Sequence, residues 1–267
     1  MTLEKPYEPP IDEAQMAIDT NRKSCYEVVY DYVIKDGETH PIAIICPGGG
    51  YEAVCSFIEG VPFARYLNTK GISAVIVYYR IQKEAAYPNP QDDLARAVRE
   101  VWDRAEELKL DIENYSVWGS SAGGHLAASF GTNHMGYKKY GLPKPCAEIL
   151  IYPVISMDPE TTHLGSKNAL IGENATKEQI DFASIDKHVT ADYPPTYVWC
   201  GDSDQLVPPK NTELMIEALK AAGVPFASDI YPGVDHGVGL ATGLSAEGWM
   251  DRAIAFWEGQ MRGKSYR

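Results

Sequence analysis

Tyr115-Ser116-Val117-Trp118-Gly119-Ser120-Ser121-Ala122-Gly123-Gly124-His125-Leu126-Ala127-Ala128 reads as a short strand that turns sharply into a helix. Glycine stands two residues before and two residues after Ser121, where a strained strand-to-helix turn leaves no room for side chains. Ser120 lacks that symmetric spacing, so Ser121 is the residue such a turn lifts above the end of the sheet, at a helix N-terminus. The small residues that follow allow the helix to start close against the strand.

Working outward, short and continuously apolar runs recur at Ile42–Cys46, Ala74–Tyr78, Ile149–Tyr152 and Tyr197–Cys200, with Tyr115–Trp118 as a weaker member. Such runs suit strands covered on both faces of a parallel sheet. Helical periodicity falls between them. Leu94, Val98, Val101, Trp102, Ala105 and Leu108 form one stripe behind an expected cap at Asp92. Leu214, Met215, Ala218, Leu219 and Ala222 form another, ended by Gly223 and Pro225. Ile254, Phe256 and Trp257 belong to a C-terminal helix. Strand–helix alternation of this kind specifies a doubly wound α/β fold. Tyr26, Val28, Tyr30, Tyr32 and Ile34 alternate with polar residues, which predicts an antiparallel strand near a sheet edge.

The chain is expected to form a single domain over residues 1–267. Residues 1–24 are read as an arm on the surface. Residues 154–193, mostly polar with scattered leucine and isoleucine, are read as a lid-like insertion, because connections that long carry some structure of their own.

Two further signals accompany the Ser121 turn. Cys46-Pro47-Gly48-Gly49-Gly50-Tyr51 follows the first buried strand, and consecutive glycines let backbone N–H groups approach an anion. The spacing is not that of a phosphate-binding loop, so the run fits oxyanion donors instead. In the last third, Asp202, Asp204, Asp235 and His236 lie past two strand ends, where parallel sheets gather reactive groups. Asp235 adjoins His236 and Asp202 sits where the chain leaves its strand. Asp204 lies far enough out to reach the histidine loop. His125, one helical turn past Ser121, points back along its own helix and is read as support for the glycine loop. His40, His134, His163 and His188 lack comparable surroundings.

Of the 267 residues, 24 are Lys or Arg and 37 are Asp or Glu, a net charge of −13. Without a basic patch this disfavours nucleic acid and anionic membrane as partners. The five cysteines include no C-x-x-C pair, which predicts a reducing, cytoplasmic setting and no metal site. No run approaches the roughly 18 residues of a membrane span.

Pro47-Gly48-Gly49-Gly50-Tyr51, Tyr79-Arg80, Tyr87-Pro88 with Pro90 and Asp93, Gly119-x-Ser121-Ala122-Gly123-Gly124-His125, Pro194-Pro195, Asp204-x-x-Val207-Pro208 and His236-Gly237 together resemble the α/β-hydrolase serine esterases. Within them the pattern is most similar to the small bacterial acetyl esterase and acetylxylan-esterase-like group. The resemblance covers about residues 40–260. It implies Ser121 as nucleophile, His236 as base and Asp204 as the acid that orients it. It also implies an oxyanion hole from the N–H groups of Gly49, Gly50 and Ala122. Many relatives carry histidine before the glycines, where this chain has Pro47, so the glycine amides that face the substrate are left open. The expected reaction is removal of short acyl groups, acetyl foremost, from oligosaccharides, with no metal or organic cofactor. Hydrolysis of small amides and a non-catalytic ligand-binding role are the alternatives. A small-molecule ester is the expected partner, and a homo-oligomer is left open.

Overall fold

The apolar runs all fall in one sheet. The computed structural model describes Met16, Asp19 and residues 22–261. Its strands are β1 (Glu27–Val29), β2 (His40–Cys46), β3 (Ser73–Tyr78), β4 (Leu110–Ser120), β5 (Ala147–Ile151), β6 (Thr196–Gly201) and β7 (Phe226–Tyr231). They are ordered β1-β3-β2-β4-β5-β6-β7. β1 runs antiparallel to β3, and every other neighbouring pair is parallel. From residue 22 onward the α-helices are α1 (Ser56–Glu59), α2 (Val61–Thr69), α3 (Asn89–Asp103), α4 (Ala105–Leu108), α5 (Ser121–Gly131), α6 (Leu164–Ile171), α7 (Lys177–Ala183), α8 (Lys210–Ala222) and α9 (Trp249–Glu258).

The core is made by the strands' own side chains and a tryptophan cluster. Trp249 of α9 lies 5.2 Å from Trp199 on β6 and 6.2 Å from Trp118 on β4, centroid to centroid. Trp257 closes on Trp118 at 6.3 Å and gives its indole N–H to the Asn114 carbonyl. Four fully buried indoles, each worth several kcal/mol of apolar burial, bind the C-terminal helix to the middle of the sheet.

Two expectations change. The edge strand stops at Val29, because the chain turns and Val33 N–H bonds back to the Tyr30 carbonyl. α3 starts at Asn89 with Pro88 as its N-cap, so Asp92 is not the cap; its carboxylate accepts from the Tyr140 hydroxyl at 2.6 Å. Most of the arm, residues 1–15, 17–18 and 20–21, lies outside the described residues. Within it, Asp19 is 5% exposed and accepts from Ser56 Oγ, Phe57 N–H and the Tyr78 hydroxyl. The stretch 154–193 holds α6, α7 and a 3-10 turn over Ile185–His188.

The order of the sheet decides where chemistry can occur. Chain connections leave β2 toward β3 on one side and reach β4 on the other, so the loops after β2 and β4 part and open a crevice at their carboxyl ends. Cys46 and Gly119 are register partners at that end. The glycine run and the Ser121 turn therefore start side by side.

Candidate active site

Ser121 sits at φ +53°, a left-handed conformation that costs a non-glycine residue about 1–3 kcal/mol and is held by close packing. A Cβ at Gly119 would lie 2.1 Å from the Gly123 carbonyl oxygen, and one at Gly123 would lie 2.1 Å from the Cys46 carbonyl oxygen. Both positions admit only glycine, because backbone meets backbone there.

His236 stands opposite, on the loop after β7. Its Nε2 is 2.8 Å from Ser121 Oγ, and its Nδ1 is 2.6 Å from Asp204 Oδ2. The other oxygen of Asp204 accepts the N–H groups of Leu206 and Val207 at 3.0 and 2.8 Å. With Asp204 accepting at Nδ1, the imidazole carries its proton there and presents a bare Nε2 to the serine hydroxyl. Asp202 instead accepts from Gly233 N–H and Ser203 Oγ, and Asp235 from the His236 N–H. Ser120 Oγ is buried and bonds neither His236 nor Asp204.

The glycine run lies against this line. Gly49 and Gly50 have φ of +129° and +67°. Gly48 N–H is taken by Glu59 Oε2 at 2.8 Å. Ala122 occupies the first turn of α5, where an N–H has no partner inside its own helix. His125 makes no bond to Ser121. Its Nε2 donates to the Ala183 carbonyl at 2.8 Å, which leaves Nδ1 to accept from the Tyr51 hydroxyl at 2.9 Å. The ring thus joins the residue after the glycines to the end of α7, and full burial pushes its pKa down to about 4.

Three residues at the site gave no sign in the sequence. Glu59 is buried under the glycine run, where burial raises its pKa against the pull of Tyr152, the Gly48 N–H and His236. Tyr152, at φ +35°, lays its ring 4.8 Å from the His236 imidazole. His163, at the N-cap of α6, brings Cε1 to 3.3 Å from where a Gly50 Cβ would be. Burial, and then the neighbouring His236, lower its pKa. The Ser121 turn and the glycine run are local in sequence; these three reach the site through distant packing. Of the remaining histidines, His40 bonds the Gly71 carbonyl and Asp36, His134 the Phe182 carbonyl and His188 the Asp181 carbonyl. Among the described residues, no three His, Cys, Asp or Glu side chains are placed to hold a metal ion, and no helix is long and apolar enough to cross a membrane.

Comparison with known proteins matches residues 32–219 to the family BD-FAE. The chain is 30% identical to endo-1,4-beta-xylanase B of Butyrivibrio fibrisolvens over 83% of its length, and 31% identical to an acetylxylan esterase of Xylanibacter ruminicola over 73%. It spans only 36% and 40% of those two proteins. Among solved structures, an acetyl ester-xyloside bifunctional hydrolase from Caldicellulosiruptor lactoaceticus superposes with a TM-score of 0.80 at 33% identity, covering 97% of each chain. A sugar hydrolase from Lactococcus lactis does so with a TM-score of 0.71 at 27% identity, over 88% of this chain and 94% of that one. The chain belongs to the BD-FAE family of α/β hydrolases.

Proposed function

We propose that this α/β hydrolase is a serine carboxylic ester hydrolase that removes short acyl groups, acetyl foremost, from oligosaccharides. One observation carries the reading: Ser121 Oγ, His236 and the Asp204 carboxylate lie in a hydrogen-bonded line of 2.8 and 2.6 Å. The names of the acetylxylan esterase and the acetyl ester-xyloside hydrolase it resembles support the substrate class.

In this mechanism His236 Nε2 takes the Ser121 proton as the hydroxyl oxygen attacks the ester carbonyl carbon. Asp204 keeps the imidazole in the tautomer that can accept, and then offsets the charge of the imidazolium. The carbonyl oxygen becomes an oxyanion. Because Glu59 already holds the Gly48 N–H, the donors facing that charge are the N–H groups of Gly49, Gly50 and Ala122, each worth roughly 3 kcal/mol of barrier. His236 returns its proton to the departing sugar hydroxyl, leaving an acyl group on Ser121. Water, activated by the same imidazole, then releases acetate. None of these steps calls on a metal or organic cofactor.

The test is hydrolysis of p-nitrophenyl acetate and of acetylated xylo-oligosaccharides. Ser121→Ala should abolish both, whereas Ser120→Ala should retain much of each. A fluorophosphonate should leave one adduct, on the peptide carrying Ser121. Asp204→Asn should lower kcat by about 10⁴, and Asp202→Asn far less. Labelling at Ser120, or greater damage from Asp202→Asn in a folded protein, would overturn the assignment.

A further inference from the structure

A groove of about 1200 Å³ lies between the loops after β2 and β3 and the 154–193 insertion, and none of Ser121, Asp204 and His236 lines it. Glu52, Lys83 and Tyr87 line it from the loops after β2 and β3, and Gly165, Asn168 and Phe182 from the insertion. His163 joins the groove to the site. A Cβ on Gly165 would lie 2.9 Å from His163 Cε1, and a Cβ on Gly50 would lie 3.3 Å from the same atom.

The state of His163 follows from its bonds. The Ser166 N–H can only donate, and it donates to Nδ1 at 3.2 Å, where the Ser166 hydroxyl also approaches to 2.9 Å. The proton of the neutral ring is therefore on Nε2, for which no protein acceptor is found among the described residues. Burial and the proximity of His236 favour that neutral form. A fixed N–H donor thus stands where the groove meets the glycine run.

Resting on the ester-hydrolase reading, we infer that this groove holds the glycan part of the ester, an uncharged oligosaccharide of several rings, with His163 Nε2 donating to the ring next to the scissile bond. Size is the first argument. Sites for single small molecules enclose about 300–1,000 Å³, so one sugar ring would leave much of this groove empty. Lining chemistry is the second. Tyr87 and Phe182 meet edge to face at 5.2 Å, and Phe182 remains 36% exposed. Aromatic rings beside amide and charged side chains match the apolar faces and polar rims of sugar rings. Charge is the third. Glu52 and Glu178 outnumber Lys83 along the groove, in a chain of net charge −13, which disfavours uronates or sulfated sugars.

Calorimetric titration of the wild-type protein with unsubstituted xylotetraose reads the groove without any turnover. Saturable binding is expected, at least tenfold weaker in Phe182→Ala and in Asn168→Trp, which fills the groove from an exposed helical position. Tetragalacturonate should bind at least tenfold more weakly than xylotetraose. In both variants the ratio of kcat/KM for acetylated xylotetraose to that for p-nitrophenyl acetate should fall by a similar factor. His163→Asn, which keeps an acceptor for the Ser166 N–H, should raise KM for the sugar ester severalfold with a smaller change in kcat. Absence of xylotetraose binding, or binding that neither groove substitution weakens, overturns the groove even if p-nitrophenyl acetate is hydrolysed. Loss of that hydrolysis as a Ser121-dependent activity, with xylotetraose still bound, overturns the ester reading instead. An unchanged KM in His163→Asn removes His163 from the substrate's path.

Discussion

The glycine run with its neighbouring Ser121 turn and the 154–193 insertion border the same crevice, yet they are built in opposite ways. The first is backbone packed on backbone, with carbonyls standing 2.1 Å from where a methyl would go at Gly119 and Gly123. The second is pinned by side chains to its surroundings. Asn211 Oδ1 accepts from the N–H groups of Ile155 and Ser156, His125 holds the Ala183 carbonyl, and a Thr176–Gln179 capping box starts α7. The difference separates tasks. The Ser121 turn is fixed by contacts that only glycine allows, and the insertion by hydrogen bonds that single substitutions can remove.

The largest effect should come from adding a methyl on each side of that divide. Gly123→Ala is expected to lose both folding yield and turnover, because two backbone segments would have to part. Gly172→Ala, at φ +88° with open space around it, should fold and lose only about 1–3 kcal/mol through strain. Thermal unfolding of the two variants checks this, and equal losses would erase the contrast.

Acid should loosen the join between the regions next. The native pKa of His125 lies below the unfolded value of about 6.5, so its contribution to stability is full above that pH. It is lost as pH falls toward about 4. Protonating Nδ1 would also set an N–H against the Tyr51 hydroxyl proton. Urea titrations between pH 7 and 4 should show up to about 3 kcal/mol of loss from this group, and correspondingly less in His125→Asn.

Inside the sheet the sign reverses. Glu148 on β5 is fully buried beside the Tyr193 hydroxyl, which gives its own proton to the Ala128 carbonyl. Burial raises its pKa well above the usual carboxylate range, so the native state holds a proton that the unfolded chain releases near pH 4.3. The stability this group contributes at low pH is lost as pH rises toward its native pKa. Glu148→Gln should therefore gain about 1–3 kcal/mol on the wild type at pH 8 and little at pH 4. A Tm difference independent of pH would contradict it.

The smallest effect belongs to the insertion's own cap. Thr176→Ala should lower stability by about 1 kcal/mol, seen as faster proteolysis near α7 while the sheet's amide protons stay protected.

The same divide explains what the sequence made legible. The Ser121 turn, the glycine run and the buried strands announce themselves because each needs a residue type at a short fixed spacing. Asp204 and His236 could be singled out as strand-end residues, although their partnership spans 32 positions. Glu59, Tyr152 and His163 carry no local pattern; each matters only because another loop arrives beside it. Asp92 looked like a cap from its position before an apolar stripe, but Pro88 already starts the helix and Tyr140 takes the carboxylate. The edge strand's alternation continued past Val29 in letters only, since the backbone had already turned.

Because Cys46 and Gly119 are register partners on β2 and β4, the glycine run and Ser121 ride on adjacent strands roughly 4.8 Å apart. Their separation is therefore a lattice constant of the sheet. On the ester-hydrolase reading, the gap a substrate carbonyl would span is thus set by the hydrogen bonds between two strands.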